Sequence, residues 1–138
     1  MRINLFMLVA IVTSTPTPSY ATESEVISLP FYSHCLDMDE DLVFNGSKNY
    51  LCEFEGIGIE QIYNKYKSYL YHQELLQNTL PKKDMLYETE NVEVIYKWLP
   101  PNKLRLTVTY DNGTEQYIYY FIKKKNSTTV FHQINTGY

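Results

Sequence analysis

The C-terminal half of the chain alternates apolar and polar residues with a period of two, which is the pattern of half-buried β-strands. The alternating runs are rich in β-branched and aromatic residues and are separated by short turn-forming stretches. One of these stretches, Asn112-Gly113, supplies the positive φ that a tight hairpin needs. We predict an antiparallel meander with one face in the core and the other in solvent, with strands over residues 85–89, 92–99, 103–110, 114–123 and 128–134.

Before this meander the apolar period lengthens to three or four residues, which is typical of an amphipathic helix. The apolar side is formed by Ile59, Ile62, Tyr63, Tyr66 and Leu70. Gly58 precedes the pattern, and Pro81 cannot continue a helix. We therefore predict a helix over residues 59–78. The fold class that follows is α+β, with one long amphipathic helix packed on a four- to five-stranded antiparallel meander and a disulfide-pinned segment at the N-terminal side.

The first 21 residues have the three parts of a secretory signal peptide: Arg2, an apolar run over residues 5–12, and a polar stretch that ends in Ala21. Cleavage after Ala21 would leave residues 22–138 as a single domain. A helix that spans a membrane needs about 20 apolar residues, and this run is shorter. We therefore expect a periplasmic or secreted protein with no stable membrane anchor.

The chain contains two cysteines, Cys35 and Cys52. In an oxidising compartment this minimal even number predicts one disulfide bond. A redox pair or two metal thiolates would also use two cysteines, but no C-x-x-C spacing is present.

Charge excludes one class of partner and suggests another. The net charge of −4 and the pI near 5.3 do not support binding to nucleic acid, which needs a dense lysine and arginine field. Residues 22–60 contain nine acidic residues against one lysine, and an exposed acidic surface attracts a basic protein. The densest part of this region is the cluster Asp37, Asp39, Glu40 and Asp41.

The acidic cluster resembles the start of a calcium-binding loop but lacks two of its required residues. Leu42 stands where the loop needs glycine, and Lys48 stands where it needs a bidentate glutamate. We predict no metal site. The first interpretation of the cluster is a solvated acidic run, with a partner-binding patch and a weak divalent-cation site as alternatives, and the partner-binding patch is the site hypothesis that we carry forward. Tyr117 and Tyr119 are further partner-binding candidates because tyrosine is common at recognition surfaces, although a place in the core is the first interpretation of each ring.

No catalytic residue is predicted. The three histidines lie on separate predicted elements, and the sequence has no nucleophile or phosphate-binding motif. Carboxylates such as Glu88 and Glu90, or Glu53 and Glu55, could converge in a cleft as glycosidases require, but their separation does not follow from the sequence. The chain is therefore predicted to be a non-enzyme that uses no cofactor.

The order of elements, a helix followed by a meander that contains Tyr110-Asp111-Asn112-Gly113-Thr114, resembles exported NTF2-like and cystatin-like α+β domains. The resemblance implies a cone-shaped pocket between helix and sheet that holds a small apolar molecule. Its lining would comprise Tyr63, Tyr66, Trp98 and Tyr119. No catalytic residue is implied for this chain.

Three functional hypotheses follow. The first is a small exported, non-catalytic binding protein, in its sharpest form an immunity or inhibitor protein that binds and neutralises a basic toxin or hydrolase. The second is the apolar ligand pocket. The third is a subunit of an envelope assembly, which an unpaired edge strand would favour.

Overall fold

The computed structural model describes residues 30–39 and 46–137. The predicted signal peptide and the predicted partner-binding residues Glu40 and Asp41 lie outside the described residues. The described chain forms one antiparallel sheet of seven strands in the order β1-β2-β7-β6-β5-β4-β3. The strands are β1 (Cys35–Asp37), β2 (Ser47–Glu55), β3 (Met85–Thr89), β4 (Val92–Leu99), β5 (Lys103–Tyr110), β6 (Glu115–Lys123) and β7 (Ser127–Thr136).

The five strands of the meander lie where the alternation of residues predicts them. Alternate residues enter the core, as in β6, where Tyr117, Tyr119 and Phe121 are buried. Their neighbours Ile118 and Tyr120 are half-buried on the other face. We call this second face the open face, because the helix and the segment that follows it pack against the first face.

The predicted size of the sheet is wrong, because two further strands extend it beyond β7. β2 pairs with β7 along its whole length, and β1 pairs with β2. β2 also alternates, with Tyr50, Cys52 and Phe54 buried, but it begins with the polar residues Ser-Lys-Asn and therefore looks like a loop in sequence. The four- to five-stranded meander is thus part of a larger sheet.

The predicted long helix is also wrong. The helix α1 covers Ile59–Tyr66, and the chain then continues through a 3-10 turn at Lys67–Tyr69 and another at Gln73–Leu75. Between the two turns His72 has a positive φ of 56°, which a helix does not allow. The i, i+3 and i+4 pattern of residues 59–70 is real, but the α-helix covers only its first eight residues.

Hydroxyl groups of core tyrosines explain why residues 67–81 are stable without a helix. Tyr119 Oη accepts a hydrogen bond from the backbone N–H of Tyr71 at 3.0 Å. Tyr96 Oη accepts one from the N–H of Gln77 at 2.9 Å, and Tyr63 Oη donates to the Gln77 carbonyl at 2.5 Å. Because buried backbone groups must be paired, these side chains take the place of the missing helical bonds.

Two more side chains hold the same segment, so its whole length is attached to the sheet. Tyr87 Oη donates to the carbonyl of Leu75, and Trp98 Nε1 donates to the carbonyl of Pro81 at 3.0 Å.

Tyr96→Phe is expected to lower the free energy of unfolding by about 1–3 kcal/mol. The variant keeps the buried ring, but it removes the acceptor of the Gln77 N–H and the hydroxyl that lies 2.8 Å from Tyr63 Oη. Denaturant unfolding measures the loss. Tyr120→Phe on the open face is the matched control and should change stability by less than about 0.5 kcal/mol. Equal effects would contradict the role given to the core hydroxyls.

The N-terminal described segment completes the core. Phe31 and Tyr32 are buried under β2 and α1, and the predicted disulfide Cys35–Cys52 is confirmed, joining directly opposed residues of β1 and β2. A disulfide fits an exported protein, because such bonds persist in oxidising compartments. Among the described residues, no helix is long and apolar enough to cross a membrane.

Candidate recognition surface

Two turns meet at one end of the sheet. The β3–β4 turn contains Glu90 and the β5–β6 turn contains Asp111, and both have a positive φ, of 50° and 45°. The backbone N–H of Asp111 donates to the carbonyl of Asn91 at 3.0 Å and so ties the turns together. Aspartate adopts this conformation readily, which fits the turn at Asp111, whereas a glutamate such as Glu90 adopts it less often.

A groove of about 480 Å³ lies beside these turns. Four carboxylates line it, and no lysine or arginine belongs to the lining. The lining residues are Glu88, Glu90, Asn91, Val92, Glu93, Thr109, Asp111, Gly113 and Gln116. We call this surface the acidic groove.

The acidic groove contains an unfavourable pair of like charges. Glu88 of β3 lies directly opposite Glu93 of β4 in the ladder, so the two side chains share a face. Like charges in this position destabilise a sheet. A cationic ligand would relieve this repulsion, whereas the free protein must tolerate it.

Two tyrosines at this end of the sheet have raised pKa values, through burial first and then through carboxylates that do not line the groove. Burial raises the pKa of Tyr110, and the nearby carboxylates Glu74 and Glu115 raise it further. The pKa of Tyr117 is raised by burial and then by its hydrogen bond to Glu115. Both shifts favour the uncharged phenol, as expected next to several carboxylates.

Several carboxylates away from the groove are paired with lysines. Lys97 Nζ lies 2.5 Å from Asp84, Lys82 Nζ lies 2.9 Å from Glu60, and Lys124 Nζ lies 3.2 Å from Glu53. No ion pair with lysine in the described part of the chain uses a carboxylate of the acidic groove. The sheet therefore has an acidic end and a charge-balanced end.

The described residues of the predicted acidic cluster, Asp37 and Asp39, make their contacts within the fold. Asp37 lies 3.1 Å from Lys48 Nζ. Asp39 Oδ2 accepts hydrogen bonds from the backbone N–H and the side-chain amide of Asn49, at 2.6 and 3.0 Å. These two carboxylates therefore connect the chain around β1 to β2, and their partner-binding role stays a prediction.

The two tyrosines predicted to bind a partner point into the core. Tyr117 is 6% exposed and Tyr119 is 0% exposed. Strand alternation places Tyr120 on the open face instead, opposite Phe131 and Arg105. The sequence shows that such a ring run must divide between two faces, but it does not show which tyrosines go to which face.

The tyrosines predicted to line an apolar ligand pocket fill the space between α1 and the sheet. Tyr63, Tyr66 and Tyr119 are buried, and Tyr63 is hydrogen-bonded to Tyr96. Burial raises the pKa of Tyr63 to about 12. Trp98 is half-buried and lies beside a separate surface depression with Ile59 and Pro101.

One histidine lies in the middle of the core. His132 is 0% exposed, stacks on Tyr119 with ring centroids 3.9 Å apart, and has Nδ1 3.2 Å from Tyr32 Oη. Its Nε2 has no hydrogen-bond partner among the described residues. Burial lowers the pKa of His132 to about 3, so the ring is neutral at physiological pH. Because the ring is inaccessible, we assign it a structural role.

The groove carboxylates do not form a metal site. No group of three histidine, cysteine, aspartate or glutamate side chains in the described ranges could hold a metal ion. Of the four groove carboxylates, the sequence points to Glu88 and Glu90 as residues that could converge in a cleft, and both line the groove. It does not point to Glu93 or Asp111. The detectable signal was the turn chemistry, since the two turns determine where these residues meet.

No family model, curated protein or solved structure matches this chain.

Proposed function

We propose that this chain is an exported, non-catalytic recognition domain that binds a basic protein at the acidic groove. The observation that carries the proposal is the set of four unneutralised carboxylates around one groove, drawn from β3, β4 and two turns. Such a surface steers a positively charged partner and raises its association rate. The opposed pair Glu88 and Glu93 supports this, because its repulsion has no compensation within the described fold.

In its sharpest form the protein is an immunity or inhibitor protein that neutralises a basic toxin or hydrolase in the periplasm or outside the cell. A disulfide-stabilised sheet with a preformed groove fits this role, because a rigid surface loses little conformational freedom on binding. The apolar-ligand alternative has less support, since three of its four predicted lining residues, Tyr63, Tyr66 and Tyr119, are packed inside the core.

The test uses the full chain, exported through its own N-terminal segment, as bait for the envelope and secreted fractions. A captured protein is purified and titrated calorimetrically against the wild-type chain and two double variants. The groove variant is Glu88→Gln with Glu93→Gln. The matched control is Glu55→Gln with Glu60→Gln, which changes the net charge equally and lies away from the groove.

We expect a stoichiometric complex that the groove variant weakens about tenfold or more, whereas the control variant binds like the wild type. The association rate should fall as salt is added. For an inhibitor, the partner's own activity should disappear at one equivalent of the chain. Equal binding by both double variants, or a partner that is not basic, would contradict the proposal.

A further inference from the structure

β3 is the last strand of the sheet within the described part of the chain and pairs with β4 alone. In an antiparallel strand, alternate residues direct their N–H and C=O groups to opposite edges, so one edge of β3 carries backbone groups that β4 does not use. The opposite end of the sheet is different, because β1 has three residues and is linked to β2 by the disulfide.

Of the side chains that usually protect an edge strand, β3 has one charge, Glu88, and no lysine or proline. Such strands commonly contain lysine or proline, or they are very short. β3 contains neither residue type over its five positions, and it exposes Leu86 by 59% and Met85 by 38%. Within residues 30–39 and 46–137, no strand pairs with this edge.

The strand is held rigidly on its other sides. Tyr87 Oη donates to the Leu75 carbonyl. Asp84, just before the strand, accepts a hydrogen bond from the Trp98 N–H at 2.8 Å and lies 2.5 Å from Lys97 Nζ. A preformed edge lowers the entropic cost of adding another strand.

The two exposed faces of β3 define which side chains an added strand would meet. Leu86 lies opposite Ile95 and Glu88 opposite Glu93, so both project onto the open face, and Glu88 also lines the acidic groove. A strand added at about 4.8 Å would place two of its residues, spaced by two positions, beside Leu86 and Glu88. The favourable pair is an apolar residue beside Leu86 and a cation beside Glu88.

A second copy of this chain fits this edge poorly. Antiparallel pairing of two β3 strands centred on Tyr87 would place each Glu88 against a leucine, and in-register parallel pairing would place Glu88 against Glu88. Both arrangements lack the cation that the groove favours.

We propose that β3 receives an extended segment of the basic partner by strand addition, with a cationic residue beside Glu88 and an apolar residue beside Leu86. This inference rests on the proposed function and specifies how the same partner is held. Main-chain hydrogen bonds would supply affinity, and the alternating side chains would supply specificity.

The probe is a fluorescent peptide of about nine residues built from the repeat Lys-Thr-Val-Thr, which places lysine and valine on one face. A control peptide with the repeat Lys-Val-Thr-Thr has the same residues but places lysine and valine on opposite faces. Two further peptides are N-methylated, one at the odd-numbered backbone amides and the other at the even-numbered ones, so that each blocks one edge of the extended peptide. Fluorescence anisotropy gives affinities, and hydrogen exchange reports protection of the β3 amides.

We expect the first peptide to bind at least about tenfold more tightly than the control. One N-methylated peptide should lose affinity by about tenfold or more, because its methyl groups replace the N–H donors that face β3. The other should bind like the unmethylated peptide, because its methyl groups face away from β3. The β3 amides should exchange more slowly in the complex. Leu86→Lys should weaken binding, whereas Leu36→Lys, which alters an exposed leucine of β1, should not.

Failure of strand addition can be distinguished from failure of the proposed function. If all four peptides bind equally and the Glu88→Gln, Glu93→Gln double variant weakens them together, strand addition is overturned and the acidic groove still binds cations. If none binds and the double variant also leaves capture of a basic protein unchanged, both the inference and the proposed function fail. Concentration-dependent self-association through β3 would also overturn the inference.

Discussion

Phe31→Ala is expected to lower the free energy of unfolding by about 3–5 kcal/mol. Phe31 is 0% exposed. Its ring lies 5.0–6.4 Å, centre to centre, from four aromatic rings: Tyr32, Phe54, Tyr66 and Tyr119. Truncation therefore leaves a cavity that β2, β6 and α1 border together, which these rigid rings cannot close.

The matched control is Phe131→Ala on the open face, where the ring is half-buried. This variant should lower the free energy of unfolding by only about 1 kcal/mol, because the truncation leaves little cavity on the open face. Urea unfolding of the oxidised proteins at neutral pH gives both values. If the two variants lose equal stability, the segment that precedes β1 does not belong to the core.

Acid is expected to destabilise the protein through His132 well before most carboxylates are protonated. The pKa of His132 is lowered from 6.5 to about 3 by burial, so the folded state binds fewer protons than the unfolded state. The neutral, buried His132 ring therefore contributes fully to the free energy of unfolding above the unfolded pKa of 6.5. This contribution is lost as the pH falls toward the folded pKa of about 3. In full it amounts to about 5 kcal/mol, of which about 2 kcal/mol is lost by about pH 5.

His132→Phe isolates this contribution from those of the other titrating groups. The variant keeps a ring on Tyr119, loses the contact with Tyr32, and cannot titrate. The stability difference between wild type and variant should shift by about 2 kcal/mol in favour of the variant between about pH 7 and pH 5. A difference that is independent of pH would contradict the assignment. If the variant does not fold, NMR of the wild-type His132 ring tests the same point, since it should show no protonation at about pH 5.

The strands of the meander were predictable because their information is local. Alternation over eight residues, as in β5, specifies both the strand and its core face, whereas the continuous aromatic and apolar run of β6 indicates a strand but not which of its faces is buried. The same logic failed for β1 and β2, which have less apolar sequence and owe their place to pairing with β7 and to the disulfide. The alternation of Tyr50, Cys52 and Phe54 covers only the second part of β2, and a single sequence does not show which distant strand β2 pairs with.

The helix prediction failed because periodicity measures which residues are buried and not how the backbone is hydrogen-bonded. Tyr66, Leu70 and Leu76 are buried, as the helical pattern requires. Beyond Tyr66, however, the backbone N–H groups of Tyr71 and Gln77 donate to the hydroxyls of Tyr119 and Tyr96 on distant strands and not to helical carbonyls. Tertiary hydrogen bonds therefore override a local preference that is weak to begin with.

The acidic groove could be predicted only in part. Composition places most excess acid before residue 61, but the described members of that cluster are paired within the fold. The acidic surface arises instead because antiparallel strands bring the Glu90 and Asp111 turns to one end while the lysines lie elsewhere. A charge count along the chain cannot show this separation in space.

The attachment of residues 67–81 to the sheet also affects how the protein can tolerate sequence change. The backbone of this segment is held by hydroxyl and indole groups that belong to Tyr63, Tyr87, Tyr96, Trp98 and Tyr119. A backbone carbonyl or N–H is present whatever side chain stands at its position, proline excepted. The path of this segment is therefore determined mainly by residues outside it. Its exposed positions can accept many side chains, provided that the tyrosines and the tryptophan that bind its backbone are unchanged.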